Sequence, residues 1–200
     1  MNDLQKHLML TRRYAVLWLL FKVHYLIRNL YQNHLKVQHM KILNASPGFG
    51  APMTEDEAKN FLATSNKLNI HLGTVDSKGE PNVHPTWYYF DNSSNKIYIE
   101  TAKNSKKAQN LKRKNIIYFC IDDTTIPYKG VRGKGTVKIS EDVSSNLPIC
   151  EKIIVKYLGS LEKVMAKFLL DSVKKGDSVI LEITPSFFST WDYSKKKADK

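Results

Sequence analysis

Cysteine is scarce in this sequence, with only Cys120 and Cys150 among 200 residues. Two cysteines are too few for the disulfide framework of a small secreted protein, and they lack the close spacing of zinc ligands. Both lie in apolar surroundings, which is typical of buried thiols in a cytosolic protein. We therefore expect a cytoplasmic protein that is held together by its hydrophobic core, without a metal site.

Long apolar runs are also absent. The longest covers only residues 14–21 before charged residues intervene, whereas a membrane-spanning helix needs roughly 20 apolar residues. No small-residue cleavage site of a signal peptide follows. We interpret residues 1–52 as a basic, apolar helical extension with a Pro/Gly-rich linker. The helix either packs on the domain or on a partner, or it consists of non-native residues added by an upstream start codon. Peripheral contact with a membrane surface is the third interpretation.

The common catalytic signatures are missing as well. The sequence contains no GxxxxGK[ST] or GxGxxG loop, no HExxH and no GxSxG. These absences argue against P-loop, Rossmann, zinc-protease and α/β-hydrolase chemistry. No paired carboxylates stand out, and His84 has no carboxylate near it in the sequence. We therefore assign no catalytic residue, and a structural role for His84 is the simpler interpretation.

Positive charge, by contrast, is abundant. The formal net charge is +12, and residues 101–138 hold ten Lys and Arg against Asp122 and Asp123. A basic surface can bind nucleic acid, a membrane or a small anion, or it can simply be solvated. Because the charge is concentrated beside a candidate phosphate loop, a small anionic ligand is favoured and nucleic acid is the least favoured partner.

Residues 69–107 carry the clearest structural pattern. Alternating residues from Ile70 predict a strand, a turn around Gly79 predicts a hairpin, and residues 83–90 predict one continuous return strand. Residues 96–101 predict a third strand, and Ser105 is suited to cap a helix over 105–114. The return strand has aromatic residues on both faces, so one face could meet a ligand or another subunit.

The start of that helix is a candidate anion site. A helix N-terminus offers unpaired N–H groups and a partial positive charge, and Thr101, Ser105, Lys106 and Lys107 would add hydroxyl and ammonium groups. The alternative is that Ser105 only caps the helix and both lysines are solvated. The spacing alone does not distinguish the two interpretations.

The remaining pattern predicts a compact domain over residues 53–193 and a lysine-rich tail over 194–200. Strands outnumber helices, which favours a small antiparallel barrel over a parallel sheet. Two further helical regions are expected, one capped by Thr54 and Glu57 and one from Pro148 to about 173 that is broken near 159–160. Two further strands are expected at 115–121, buried on both faces, and at 128–139, bent at its glycines. A last strand at 178–184 is ended by Pro185, with 187–191 as a candidate extension.

Five segments resemble, in order and spacing, the pyridoxamine 5′-phosphate oxidase-like family of flavin- or deazaflavin-binding proteins. They are LGTVDSKGEPNVHPTWYYF, IYIETAKNSKKAQNLKRKN, PYKGVRGKGTV, KYLG and ILEITPSFFSTWD. The resemblance covers most of residues 55–193. It implies a split β-barrel, six-stranded or similar, with flanking helices, and a homodimer with two cofactor sites at the subunit interface.

Ten residues match positions at which this family holds its cofactor, FMN or the deazaflavin coenzyme F-420. They are His84, Pro85, Thr86 and Trp87 along the ring, Thr101 by the ribityl-phosphate region, Ser105, Lys106 and Lys107 at the phosphate, and Tyr128 and Lys129 from the partner chain.

The resemblance implies an oxidoreductase that transfers hydride to or from a small-molecule substrate. True pyridoxamine-phosphate oxidases end in a segment with Arg and His that grips the substrate phosphate, but this sequence has neither residue after Lys138. The KYLG and TPSFFSTWD segments look more like the branch that uses F-420 or FMN to reduce other substrates. The alternative function is a non-catalytic carrier of a flavin or haem-type ligand on the same fold.

Overall fold

The computed structural model describes Lys22 and residues 39–45, 51–64 and 67–195. The chain divides into two units, residues 1–38 and 39–200, and the elements below belong to the second. Apart from Lys22, the expected N-terminal helix lies outside the described residues, as do residues 46–50 of the linker and residues 196–200 of the tail. Among those that are described, no helix combines the length and the apolar composition needed to cross a bilayer.

Eight strands and four helices occur between residues 39 and 195 of the described chain. In order they are β1 (Ile42–Asn44), α1 (Glu55–Thr64), β2 (Ile70–Val75), β3 (Pro81–Thr86), β4 (Tyr89–Asp91), β5 (Lys96–Ala102), α2 (Lys106–Arg113), β6 (Ile116–Asp123), β7 (Lys129–Ser140), α3 (Val143–Leu158), α4 (Val164–Lys174) and β8 (Ser178–Asp192).

The strands form one sheet in the order β3-β2-β6-β7-β8-β5-β4, and β1 pairs with β8. The β1–β8 pair is parallel, and the other pairs are antiparallel. Although β3 and β4 lie at opposite ends of this order, only Trp87 and Tyr88 separate them along the chain. Two intervening residues span at most about 11 Å. The sheet must therefore curl until its two edges approach, which gives the expected split barrel.

The prediction of one continuous strand over residues 83–90 was wrong, because the chain crosses the split at Trp87 and Tyr88. The buried Tyr88 donates its hydroxyl to the Leu62 carbonyl at 3.0 Å, and its N–H donates to the Tyr157 hydroxyl at 3.2 Å. Trp87 stacks on Tyr157 with ring centroids 4.7 Å apart. These side-chain contacts replace the ladder hydrogen bonds that a continuous strand would make.

The main core lies between the inner face of the curled sheet and α1 and α3. Its fully buried members include Leu62, Leu72, Ile99, Ile121 and Leu181. A second cluster joins α3 to α4 through Cys150, Ile154, Ala166 and Val173. The two helices therefore form a layer of their own that contacts β5 and β8.

The expectation that residues 115–121 are buried on both faces was also wrong. Burial alternates along β6, and Ile116 and Tyr118 are 38% and 60% exposed. Val83 on β3, two strands away, is 68% exposed. Helix α2 contacts β2 on its opposite side, through the buried Thr74. We call the side that carries Val83, Ile116 and Tyr118 the outer face.

Glycine and proline shape the long β7–β8 pair. A Cβ atom on Gly133 would collide with the Phe187 carbonyl and the Phe119 ring, so the backbones meet as closely as the three glycines of β7 predicted. Pro185 does not end β8, which continues to Asp192. The register shifts between Lys134 and Gly135, and this irregularity accommodates the residue that lacks an N–H.

The helix starts agree with the sequence in two cases and differ in one. In α1, Thr54 and Glu57 form the predicted capping box, with bonds of 2.7 and 3.3 Å. In α2, Ser105 is the N-cap as expected. The third helix begins at Val143, five residues before the predicted start at Pro148, because Asp142 caps it by accepting the Ser144 N–H.

The strand β1 lies within the segment that the sequence assigned to an extension and linker. Its residues pair with Phe188 to Thr190 of β8, and Met40 and Met53 on either side of it are buried. Residues 39–45 therefore contribute to the sheet. The assignment of residues 1–52 as a separate extension stays a prediction, since most of it lies outside the described residues.

Candidate functional site

The start of α2 brings together the two hydroxyls that the sequence assigned to an anion. Ser105 caps the helix, and its Oγ accepts the Ala108 N–H at 3.3 Å. The same Oγ lies 3.1 Å from the Oγ1 of Thr101, which is buried near the end of β5. The first N–H groups of a helix have no partner within it. Hydroxyls and N–H donors are thus fixed at one place, which we call the α2 corner (Thr101, Ser105, Lys106 and Lys107).

Lys106 and Lys107 have different environments at this corner. The Lys106 side chain is 52% exposed, and its Nζ lies 3.6 Å from the Oδ2 of Asp76 in the β2–β3 turn. Lys107 is partly buried. Burial lowers the pKa of Lys107, while the negative charge of nearby Glu100 acts in the opposite direction. The corner therefore has one cation exposed to solvent and one that is partly desolvated and would gain most from an anionic partner.

His84 belongs to a hydrogen-bond network that the sequence did not predict. Its Nε2 lies 3.1 Å from the Oγ1 of Thr74, which accepts from Asn110 Nδ2 at 2.9 Å. Arg113 donates to Asn110 Oδ1 at 2.7 Å and so fixes the amide orientation. Burial lowers the pKa of His84, and the positive charge of Lys107 lowers it further. Both effects favour the neutral imidazole, and His84 is close enough to Lys107 to sense its charge.

One sequence signal could have revealed this network. Asn110 is fully buried in α2, at a position where the helix turns a side chain toward the barrel. A polar residue at an inward position of an amphipathic helix needs a hydrogen-bond partner. Thr74 supplies it from β2, and that pairing depends on tertiary structure.

The residues predicted to lie along the cofactor ring, 84–87, do not all lie on one face of the sheet. In the β2–β3 ladder His84 pairs with Leu72 and Thr86 with Ile70, so both side chains lie on the inward side at the split. Pro85 is exposed on the opposite side, and Trp87 has left the ladder. The structure therefore brings His84 toward Lys107, while Pro85 belongs to the outer face.

A pocket of about 320 Å³ lies between this strand end and the helical layer. Its walls include Trp87, Glu100, Cys150, Ile154, Met165 and Leu169. We call it the helix pocket. Burial raises the pKa of Glu100, against the smaller opposite effects of a hydrogen bond from Ser178 and the charge of Lys107. No sequence pattern predicts this pocket, because its lining residues come from five separate elements or connections.

Tyr128 and Lys129 lie at the other end of the sheet from the α2 corner. Lys129 opens β7 and pairs with Asp123 and Asp192 in the ladders, whereas Val137, near the other end of β7, bonds to Asn115 just after α2. Eight residues of extended strand span roughly 26 Å. Within one chain the two sets of predicted residues are therefore not brought together, and their contribution across a dimer stays a prediction.

Lys129 has a local environment of its own. Its Nζ lies 5.9 Å from the centre of the Phe61 ring, and it lines a polar pocket of about 300 Å³ with Glu57, Asp123 and Asp192. The positive charge of Lys129 helps to lower the pKa of Asp123, after the larger effect of hydrogen bonds from Thr125.

The family model described as pyridoxamine 5′-phosphate oxidase matches residues 54–192 of the sequence. The chain belongs to this family. The match includes the α2 corner, the helix pocket and the whole sheet except β1. No curated protein matches the sequence.

Solved structures share the fold of this pyridoxamine 5′-phosphate oxidase family member. An F420 reductase is 25% identical with a TM-score of 0.52, covering 65% of this chain and 94% of that one. A conserved hypothetical protein from Mycobacterium tuberculosis is 23% identical with a TM-score of 0.59, covering 74% and 92%. The heme storage protein from Vibrio cholerae is 14% identical with a TM-score of 0.53, covering 69% and 93%. The last two are similar in fold alone.

The donors at the α2 corner fit the phosphate that cofactors of the flavin type carry. The oxygens of an anionic phosphate group accept hydrogen bonds from N–H and hydroxyl donors at a helix start and pair with ammonium groups, and all three are present. Two nearby carboxyl groups have the wrong charge, Asp76 and Glu100. Asp76 already pairs with Lys106 at 3.6 Å. Burial raises the pKa of Glu100, so Glu100 opposes an anion less than an exposed carboxylate would.

Proposed function

We propose that this family member binds FMN or the deazaflavin coenzyme F-420 and is an oxidoreductase acting on a small-molecule substrate. The observation that carries the proposal is the α2 corner, where Thr101, Ser105, Lys106 and Lys107 meet at a helix start. The similarity to an F420 reductase at 25% identity supports the deazaflavin as one of the two candidates.

The protein's part in this function is to bind and orient the cofactor. The two lysines and the hydroxyls hold the phosphate, and the His84–Trp87 segment borders the ring. The network from Arg113 through Asn110 and Thr74 fixes the His84 imidazole. When bound, the cofactor supplies the hydride chemistry. Because neither Arg nor His follows Lys138, we do not propose pyridoxamine phosphate as the substrate.

The proposed assembly is a homodimer with the cofactor at the interface. The outer face supports it, since Tyr118 of β6 is 60% exposed and Val83 of β3 is 68% exposed. The two side chains lie on either side of Gly73 of β2. Contiguous apolar side chains on a sheet are commonly buried by another subunit. In the dimer, Tyr128 and Lys129 of one chain would reach the cofactor of the other.

The absorption spectrum of the purified protein tests the proposal, followed by retention of FMN and of F-420 during gel filtration. We expect one of the two to be retained at a ratio of one per chain, and to be reduced or oxidised when a suitable substrate is added. Tight retention without turnover would instead favour a carrier. Retention of neither cofactor would contradict the proposal, and steep salt-dependent binding of DNA or RNA would revive the nucleic-acid alternative.

A further inference from the structure

The helix pocket is closed at its floor and open at its mouth. The Cys150, Ile153 and Ile154 side chains of α3 are buried at 1%, 3% and 0% exposure and form the floor. Met165 at the mouth is 54% exposed. The space of about 320 Å³ is large enough for a small aromatic molecule.

One wall of the pocket is a rigid aromatic surface. Trp87 lines the pocket, and its ring is held against Tyr157 at 4.7 Å with only 6° between the planes. The Tyr157 hydroxyl in turn donates to the Leu68 carbonyl at 2.6 Å. A fixed indole wall opposite aliphatic side chains is suited to a flat apolar ring.

The polar groups of the pocket are a carboxyl and a hydroxyl. Glu100 carries the one ionisable carboxyl among its lining residues, and Thr86 adds the hydroxyl. Six of the eight lining side chains are apolar or a thiol. A carboxylate in such surroundings is poorly solvated, so a ligand cation that reached it would relieve the cost of its burial. Charge complementarity therefore selects a basic nitrogen over an anionic group.

We propose that the helix pocket is the substrate site and that it takes a small aromatic molecule with a basic amine, with the amine at Glu100 and the ring against Trp87. The assignment as a substrate site rests on the proposed function, because Thr86 and Trp87 also border the cofactor ring. The binding of an aromatic amine rests on the pocket alone. Glu100 acts as a specificity residue that distinguishes cationic from anionic ligands.

Nuclear magnetic resonance tests the proposal on the full chain without cofactor. The indole N–H signal of Trp87, assigned with Trp87→Phe, is followed during titration with three probes of one shape: 2-phenylethylamine, 2-phenylethanol and 3-phenylpropionate. We expect saturable shifts with the amine, weaker binding of the alcohol and no binding of the carboxylate. Glu100→Gln should weaken amine binding at least tenfold and leave the affinity for the alcohol unchanged. The unchanged alcohol affinity would show that the pocket of this variant is intact.

The matched control is Glu141→Gln, which removes a carboxylate paired with Lys103 outside the pocket and should leave all three affinities unchanged. Equal binding of amine and carboxylate, or an unchanged amine affinity in Glu100→Gln, would overturn the proposal. Repeating the titration with saturating FMN or F-420 tests the substrate assignment, and displacement of the amine would assign the pocket to the cofactor instead. Failure of both cofactors to bind would contradict the proposed function. The amine titration would still test whether the pocket binds an aromatic amine, because it is done without cofactor.

Discussion

Thr74 shows how one hydroxyl connects three elements at the candidate site. It lies on β2, accepts from the buried Asn110 of α2 at 2.9 Å and contacts His84 of β3 at 3.1 Å. Thr74→Val keeps the shape of the side chain and leaves the Asn110 amide without its acceptor. We expect the free energy of unfolding to fall by about 1–3 kcal/mol, measured by urea denaturation. Thr64→Val, at an exposed hydroxyl, should change it by less than about 0.5 kcal/mol. Equal effects would contradict this account of the network.

Lys156 predicts a specific pH dependence of stability. Burial lowers the pKa of Lys156 to about 8, and its Nζ lies 3.4 Å from the centre of the Tyr88 ring. Between pH 8 and 10.5 the unfolded chain binds more protons at this lysine than the folded protein does, so stability contributed by Lys156 rises with pH.

The measurement is the free energy of unfolding of Lys156→Met and of the wild type across that pH window. The wild type should gain about 1–3 kcal/mol relative to the variant as the pH rises, whereas Lys174→Met, at an exposed lysine, should follow the wild type. Parallel curves for Lys156→Met and the wild type would show that the lysine keeps its charge in the fold.

At the scale of residues, interactions between sequence neighbours could be predicted from the sequence, and contacts between distant elements could not. Ser105 as N-cap and the capping box of Thr54 and Glu57 depend on neighbours within four positions, and both were predicted. The partners of His84 and the burial of Glu100 depend on strands and helices that are distant in sequence. No periodicity in the sequence encodes them.

At the scale of elements, the strand glycines Gly133 and Gly73 differ in how closely other atoms approach them, so Gly73 is a control for Gly133. A Cβ atom on Gly133 would overlap the Phe187 carbonyl and the Phe119 ring, but on Gly73 it would meet its nearest atom at an ordinary 3.5 Å. Neither glycine has a positive φ. We expect Gly133→Ala to destabilise the β7–β8 pair by about 1–3 kcal/mol and Gly73→Ala to be nearly neutral. Thermal unfolding of the two variants checks this, and equal melting temperatures would contradict the close approach.

The elements also show why the path of the chain was harder to predict than its secondary structure. The α2 helix and strands β2, β5 and β7 follow their patterns, since each has one face toward the core. The crossing at Trp87 and Tyr88 was missed because residues 87–90 are all aromatic, with no turn residue among them to mark the end of a strand. The exposed face of β6 was missed because its apolar run is typical of burial on both sides, and one chain covers only one side.

At the scale of the whole molecule, the outer face makes a prediction about assembly. Val83→Glu with Tyr118→Glu would place two carboxylates on the surface that we assign to the dimer. We expect sedimentation velocity to show a dimer for the wild type and a monomer for this variant. Val164→Glu with Phe168→Glu adds the same charge at side chains of α4 that are 87% and 67% exposed, and it should remain dimeric. A monomeric wild type, or a dimeric outer-face variant, would contradict the assignment.

Calorimetric titration of cofactor affinity measures whether the α2 corner holds the phosphate of a flavin or deazaflavin. Lys106→Ala with Lys107→Ala removes two positive charges at the corner, and Lys174→Ala with Lys175→Ala removes two from the exposed end of α4. We expect about thirtyfold weaker binding of the retained cofactor in the first variant, ~2 kcal/mol, and little change in the second. Equal affinities in both variants and the wild type would contradict it.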